Sequence, residues 1–466
     1  VAATTFALAS LLCLAGCGPK GRSSDQPNLL LIVIDTARAD HFGCYGYDRP
    51  TSPRIDGLAG TGTLFGHAVS QSSWTLPATA CILTGLYSTR HLAINPSSSI
   101  PLWRDTLAEV LQERGYRTGA VVSHVLVSSK YNFDQGFQHF DESNLSDPFS
   151  VTSPEVTDGA IRWLKKNRRD PFFLFLHYFD PHHVYNEHPG FEFSQVYNGW
   201  VDPKARLQDV WSRRWHLKTE DLDYIRALYD SELAFTDHHI GRVLDELQRL
   251  GLEESTIVAI TADHGEEFME HGWLGHTRHL YEETIHVPLI VRDPTRPNLP
   301  SRLEAAVELT DLMPTLVEML GVSWDGGGVD GQSLLPYLQG GAPPDTVLFS
   351  EFCERPVAQR VLPGESSEGT GTPYGDLRSM QTGRWKIVYN AAGDTYEVYD
   401  LVSDPGETVN LNTPESKQDF GVLRESLIDW MTAIQELALA ESEGSGSIIT
   451  LDPETEERLR ALGYIQ

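Results

Sequence analysis

Three apolar runs in this sequence stop at side chains that could bind or react. Asn28 to Ile34 runs into Asp35, Phe172 to Phe179 into Asp180, Pro181 and His182, and Thr256 to Thr261 into Asp263, His264, Gly265 and Glu266. In open α/β sheets ligands gather beyond the carboxyl ends of strands, so carboxylates and imidazoles there are placed to hold one. Any single aspartate after a strand is more often a helix cap or turn former; three such ends together say more. A fourth element is Ser73 to Gly85 (SWTLPATACILTG), where Pro77 suits the first turn of a helix that Gly85 would close. Thr75 then stands at the helix N-terminus, where free N–H groups and the dipole stabilise an alkoxide and a bound anion. From local sequence alone, Thr75 as a simple cap is the better reading.

These residues need a scaffold, and the chain supplies an α/β one. Runs rich in Val, Ile, Leu and Phe read as buried parallel strands, clearest at Asn28 to Ile34, Thr118 to Ser123, Phe172 to Phe179, Thr256 to Thr261 and Val287 to Val291. Between them, Trp103 to Arg114 and Tyr224 to Leu250 carry apolar residues at helical spacing, and Ser153 with Pro154 reads as a cap and first-turn proline. Right-handed crossovers stack such units into one large, mostly parallel sheet flanked by helices. Gly and Pro around Gly326 to Gly331 and Gly340 to Pro344 mark a boundary. Beyond it, Thr346 to Glu351, Trp385 to Tyr389 and Thr395 to Asp400 suggest a small antiparallel sheet. Glu365 to Pro373 and Ser442 to Ser447 read as loops, the second before a last helix from Pro453 to Leu462.

Composition narrows the function. With 466 residues, the chain can bury a large core plus an appendage. A net charge of -29 argues against holding nucleic acid through its phosphates. An anionic substrate would have to be drawn in locally, and a metal ion can do so inside an acidic protein. Residues 2 to 16 form an uncharged apolar stretch too short to span a bilayer, ending Leu14, Ala15, Gly16, Cys17. That ending is similar to a bacterial lipobox, and predicts a lipid-anchored cell-envelope protein with its lipid on Cys17; an ordinary secretory signal is the alternative. Cys44, Cys81 and Cys353 are too few and too scattered for a disulfide framework or a thiolate zinc site.

Six segments carry a resemblance to a family: Leu31 to Tyr47 (LIVIDTARADHFGCYGY), Pro77 to Gly85, Asp180 to His182, Tyr229 to Leu244 (YDSELAFTDHHIGRVL), Thr261 to Val291 and Tyr399 to Leu411 (YDLVSDPGETVNL). In wording and order they resemble sulfatases, members of the alkaline phosphatase superfamily, over most of residues 28 to 412. With the apolar start and the Gly/Pro boundary, the chain divides into a signal segment (1–17), a tether (18–26), a sulfatase-like catalytic domain (27–340), a small C-terminal subdomain (341–412) and a helical tail (413–466). The resemblance implies one divalent metal ion, with Asp35, Asp263 and His264 as ligands and Thr75 as both ligand and nucleophile. His182 would contact the non-bridging oxygens or leaving group, and His276 would lie on the substrate. His271 and His279 read as surface or core-edge histidines.

The sequence also departs from that family. A sulfatase nucleophile is a formylglycine made from Cys or Ser in a C/S-x-P-x-R motif, whereas Thr75 and Thr79 stand at the two defining positions. Oxidising a threonine would give a ketone, so an unmodified hydroxyl is expected. Thr36 replaces a second aspartate, and His264 a common asparagine. Among Zn, Mn and Ca, an imidazole with two carboxylates suits zinc or manganese. This set is similar to the threonine site of phosphoethanolamine and glycerol-phosphate transferases. The expectation is a metal-dependent hydrolase or transferase acting on a sulfate or phosphate ester of a glycan, lipid or aryl alcohol, with phosphoryl chemistry favoured. Two alternatives stay open: a sulfuric ester hydrolase working without formylglycine, and an inactive lipoprotein that binds anionic glycans. Loop residues Trp200, Trp211 and Trp215 could stack on a substrate ring or pack on the body.

Overall fold

The computed structural model describes residues 26–465 apart from 146–149, 195, 203, 206, 326–327, 344–346, 354, 356–359, 361, 364–375, 417, 442–446 and 463. Eight strands form the main sheet: β1 (Asn28–Ile34), β2 (Thr63–Val69), β3 (Arg117–Val121), β4 (His139–Asp141), β5 (Phe172–Tyr178), β6 (Thr256–Ala262), β7 (His286–Arg292) and β8 (Arg302–Glu308), in the order β8-β2-β7-β6-β1-β5-β3-β4. Central β1, β5 and β6 are buried along their whole length. Helices cover both faces, so these strands read as continuous apolar runs. β1 pairs in parallel with β5 and β6, which brings the ends of all three strands to one edge of the sheet.

One strand departs from the parallel expectation. β7 runs antiparallel to both β2 and β6. Between β6 and β7 the chain forms a small hairpin of two short strands, Glu267–Phe268 and Leu274–Gly275, and the four-residue helix Glu282–Ile285 in place of a long crossover helix, and it returns in the opposite direction. β2, β4 and β8 gave no clear signal because they are short, mixed or partly exposed, as in Arg302–Glu308 (RLEAAVE) at the sheet edge. The first predicted helix shortens to Leu107–Glu113, because Thr106 and Glu109 form a capping box there. The long one extends to Thr219–Arg249.

A separate sheet of four antiparallel strands follows: β9 (Val347–Phe352), β10 (Leu377–Thr382), β11 (Trp385–Asn390) and β12 (Thr395–Asp400). The Gly421–Glu441 helix packs on it, with Trp430 stacked on Phe349 at 4.2 Å between ring centroids. The last helix is Pro453–Ala461. The expected loop at Glu365 to Pro373 lies outside the described residues, as do the signal segment, all of the tether except Gln26, and all of Ser442 to Ser447 except its last residue. Among the described residues no helix is long and apolar enough to cross a membrane.

The Ser153–Asn167 helix corrects a sequence expectation. Ser153 is its first residue and makes no cap; Asp180 caps the helix from across the sheet edge. Its carboxylate accepts from Thr152 N at 2.6 Å, Thr152 Oγ1 at 2.7 Å and Ser153 N at 2.8 Å. Asp180→Ala strands these buried donors, and should lower unfolding free energy by about 2–3 kcal/mol in a denaturant titration. An unchanged midpoint would contradict this capping role.

Candidate functional site

Each strand end delivers its side chain through a specific local device. At the end of β1, Asp35 N donates to Tyr178 O at 2.8 Å. Thr36 then takes a φ of 55°, a costly conformation for a β-branched residue. Tyr229 holds this turn, its hydroxyl donating to Thr36 O at 2.8 Å and accepting from Arg38 N at 2.9 Å. After β6, a Cβ on Gly265 would lie 2.1 Å from Glu283 O, so only glycine lets the chain pass directly beyond His264. Thr75 opens the Thr75–Thr84 helix, with Trp74 as N-cap and Gly85 closing it at φ 66°. Thr277 N donates to Ser73 O at 3.0 Å, tying the loop that carries His276 to the approach to Thr75.

The result is one buried cluster. Thr75 Oγ1 lies 3.3 Å from His264 Nε2. His264 Nε2 is 3.5 Å from Asp35 Oδ1 and 3.7 Å from Asp263 Oδ2. Its Nδ1–H donates to Gly265 O at 2.9 Å, which leaves the Nε2 lone pair facing the carboxylates. Burial, followed by the charges of Asp263 and Glu266, pushes Asp35 well above the usual carboxylate range. Burial acts the same way on Asp263, but His264 and His177 outweigh it and hold that carboxyl low. Burial lowers His264 to about 4, so its ring is neutral at pH 7.

This donor set fits a cation. Both Asp35 oxygens are buried without a hydrogen-bond partner. Among the described residues, no lysine or arginine pairs with Asp35 or Asp263. Crowded carboxylates with no protein counter-charge are costly unless a cation joins them. Two other groups have ligand spacing, His67–Glu282–His286 and Glu267–His271–Glu283. In each, a carboxylate is already paired with a protein cation. Lys386 Nζ lies 3.2 Å from Glu282 and 2.8 Å from Glu407, and His271 lies 2.5 Å from Glu283. A cavity of about 670 Å³ borders His67, Glu282 and His286 but shares no lining residue with the Thr75 cluster.

His182 and His276 also reach the cluster, their rings 4.9 Å apart. His276 Nδ1 lies 2.9 Å from Glu266 Oε1, and His182 Nδ1 lies 2.8 Å from His183 O, so the two Nε2 atoms face inward. Both meet the hydroxyl of Tyr464, at 3.2 Å from His182 and 3.1 Å from His276, and Thr75 Oγ1 is 3.1 Å from the same hydroxyl. Thr79 turns inward and donates to Asp263 Oδ2 at 3.4 Å. His271 and His279 stay outside, paired with Glu283 and Glu267.

Four neighbours escaped the sequence reading. Glu266 stood in the quoted strand end without a role, yet it orients His276 and accepts from Tyr185 OH at 2.8 Å. His177 is fully buried beneath the cluster, 3.9 Å from both Asp35 and Asp263; its signal was a lone imidazole inside the apolar run FFLFLHYF. His124 Nδ1 accepts from Leu126 N at 3.0 Å, which places the proton on Nε2, a buried donor without a partner. Tyr464 carries no local signal at all.

A mostly parallel sheet thus carries a nucleophile-capable hydroxyl, carboxylates and imidazoles at its carboxyl edge. The family model "Sulfatase" matches residues 27–322, and "N-sulphoglucosamine sulphohydrolase, C-terminal" matches residues 269–434. The chain therefore belongs to the sulfatase family and is a sulfatase-like hydrolase of sulfuric or phosphoric esters. It is 24% identical to the N-acetylglucosamine-6-O-sulfatase of Bacteroides thetaiotaomicron, across 86% of this chain and 85% of that protein. Identity to the human N-sulphoglucosamine sulphohydrolase is 26%, across 91% and 92%. In fold it is similar to the phosphonate monoester hydrolase of Agrobacterium radiobacter, with TM-score 0.69 and 21% identity over 92% of this chain and 100% of that one. It is also similar to a structure solved with D-glucosamine-2-N,6-O-disulfate, with TM-score 0.70 and 21% identity over 90% of this chain and 100% of that one. The family generally uses a divalent metal.

Two measurements follow from this geometry. Asp35→Asn and Asp263→Asn should each lose bound divalent metal by elemental analysis while keeping the native circular dichroism spectrum; full metal content would refute this placement. The His271 pair should make stability depend on pH. Burial opposes its charge, but the bond and charge of Glu283 prevail and raise the imidazole to about 9. A raised folded-state value means the stabilisation is complete below the unfolded value of about 6.5 and is lost as pH rises through about 9. Between about pH 6.5 and 9.5, Tm should fall more in the native chain than in His271→Gln, and parallel curves would contradict the pair.

Proposed function

We propose that this protein cleaves a sulfate or phosphate ester through the Thr75 hydroxyl, with phosphoryl transfer the better match to the site. The observation that carries the reading is Thr75 Oγ1 at a helix N-terminus, 3.3 Å from Nε2 of His264 and beside the carboxylates of Asp263 and Asp35, the latter without a hydrogen-bond partner. A divalent cation held by Asp35, Asp263 and His264 would supply the charge that favours a Thr75 alkoxide and an anionic ester, and the imidazole among the donors favours zinc or manganese over calcium.

The residues divide the remaining work. Helix N–H groups and the dipole stabilise negative charge at Thr75. Having given its proton to solvent, Thr75 attacks the phosphorus or sulfur as alkoxide, and a covalent ester forms on its oxygen while the bond to the leaving alcohol breaks. His276, backed by the Glu266 carboxylate, is placed to carry a proton on Nε2 and give it to the departing oxygen. Water or an acceptor alcohol, deprotonated by the same ring, then releases the group. His124 offers its unpartnered N–H to a non-bridging oxygen, taking up part of what the absent arginine at Thr79 would do. Burial, followed by the charges of His276 and His124, pushes His182 well below the usual imidazole value, so it enters as a neutral acceptor.

The names of the relatives support a sulfated sugar as substrate, and so favour the second reading, a sulfatase that works with unmodified threonine. A lipid on Cys17 would hold the enzyme at the cell envelope, near such polymers.

Assays of aryl sulfate against aryl phosphate mono- and diesters, each with Zn, Mn and Ca, separate the two readings by the ratio of rates. Thr75→Ala should cost at least about a thousandfold in kcat, and His276→Ala about a hundredfold or more, in proteins of native Tm. Full activity in Thr75→Ala would refute the nucleophile.

A further inference from the structure

The hydroxyl of Tyr464 occupies a point where three reactive side chains meet. It lies 3.1 Å from Thr75 Oγ1, 3.2 Å from His182 Nε2 and 3.1 Å from His276 Nε2. Its ring is walled by Trp74 at 5.8 Å, His124 at 5.8 Å and His276 at 5.9 Å between centroids. In-line attack places the reacting atom within about 3–3.5 Å of the nucleophile. An oxygen of the ester would then need the point that the phenol fills, so substrate and Tyr464 cannot be bound together.

Polar and apolar contacts on either side of the last helix seat this segment. At the start of that helix Asp452 accepts from Thr455 N at 2.9 Å, and Lys130 bonds both Asp452 and Thr455. Leu459 is fully buried in the main core. Tyr464 N donates to Leu459 O at 2.9 Å, turning the chain back so that the phenol enters the site.

We propose that the segment carrying Tyr464 is an intramolecular ligand of the active site, its phenol held in the place of an ester oxygen and displaced by substrate. The proposal rests on the Thr75 reading for the meaning of the site, but not for its test. It also defines the adjoining subsite as one that accepts a neutral aromatic alcohol between Trp74 and His124. A site closed by such a ligand for about nine-tenths of the time binds any competitor about tenfold more weakly.

The test compares the zinc- or manganese-loaded full chain with Tyr464→Ala, Tyr464→Phe and a chain stopped after Leu462, which keeps the last helix. Vanadate binding, measured by calorimetry, should tighten about tenfold in Tyr464→Ala and in the shortened chain, and less in Tyr464→Phe. KM for an aryl ester should fall by the same factor with kcat unchanged. A peptide of residues 453–466 added to the shortened chain should compete with vanadate. Unchanged vanadate affinity in Tyr464→Ala of native Tm overturns the inference whatever the turnover. A collapse of kcat in Tyr464→Phe overturns it too, and makes the phenol a catalytic residue. Tighter vanadate binding with no turnover in any form would refute the Thr75 mechanism and leave the inference standing.

Discussion

Asp35 and Asp263 are two fully buried carboxylates with no lysine or arginine paired to either among the described residues, and the local architecture follows from that burden. Uncompensated, such a pair would protonate or destabilise the fold. β1 and β6 run side by side and release these side chains at the same level, and β5 adds His177 from the other flank of β1. The strained Thr36 turn, the glycine at 265 and the Tyr229 clamp all keep the strand ends from relaxing outward. Other buried acids are paired within the protein, Glu407 with Lys386 and Glu283 with His271. Among the described residues no lysine or arginine does the same for the Asp35 pair.

Much of this was legible in the sequence because it is carried by local pattern. A buried parallel strand needs a continuous apolar run, and its end is announced by the first polar residue, so Asp35, His182, Asp263 and His264 could be found one strand at a time. Thr75 was legible because proline and glycine bracket its helix. Ambiguity remained where one residue type serves two ends: Asp180 looks like a site carboxylate in sequence and spends all its hydrogen bonds on capping a helix.

What stayed hidden depends on contacts between distant segments. The direction of β7 is not written in its apolar residues, which suit a parallel or an antiparallel strand alike. His177 looks like an interruption of a strand until the neighbouring strands place carboxylates on both sides of it. Tyr464 is separated from Thr75 by most of the chain, and only the fold brings them together. The tail expected to be helical therefore reaches into the Thr75 cluster, and no composition or spacing in Pro453 to Tyr464 signals this.

The Thr75 oxygen as the atom that takes the transferred group is open to direct observation. The metal-loaded enzyme would be mixed with an activated aryl phosphate or sulfate, quenched in acid within one turnover, digested and sequenced by mass spectrometry. The mechanism predicts a phosphoryl or sulfuryl mass increment on the peptide containing Thr75, localised to that residue. Turnover with the increment on another residue, or with no covalent adduct at any quench time, would contradict it.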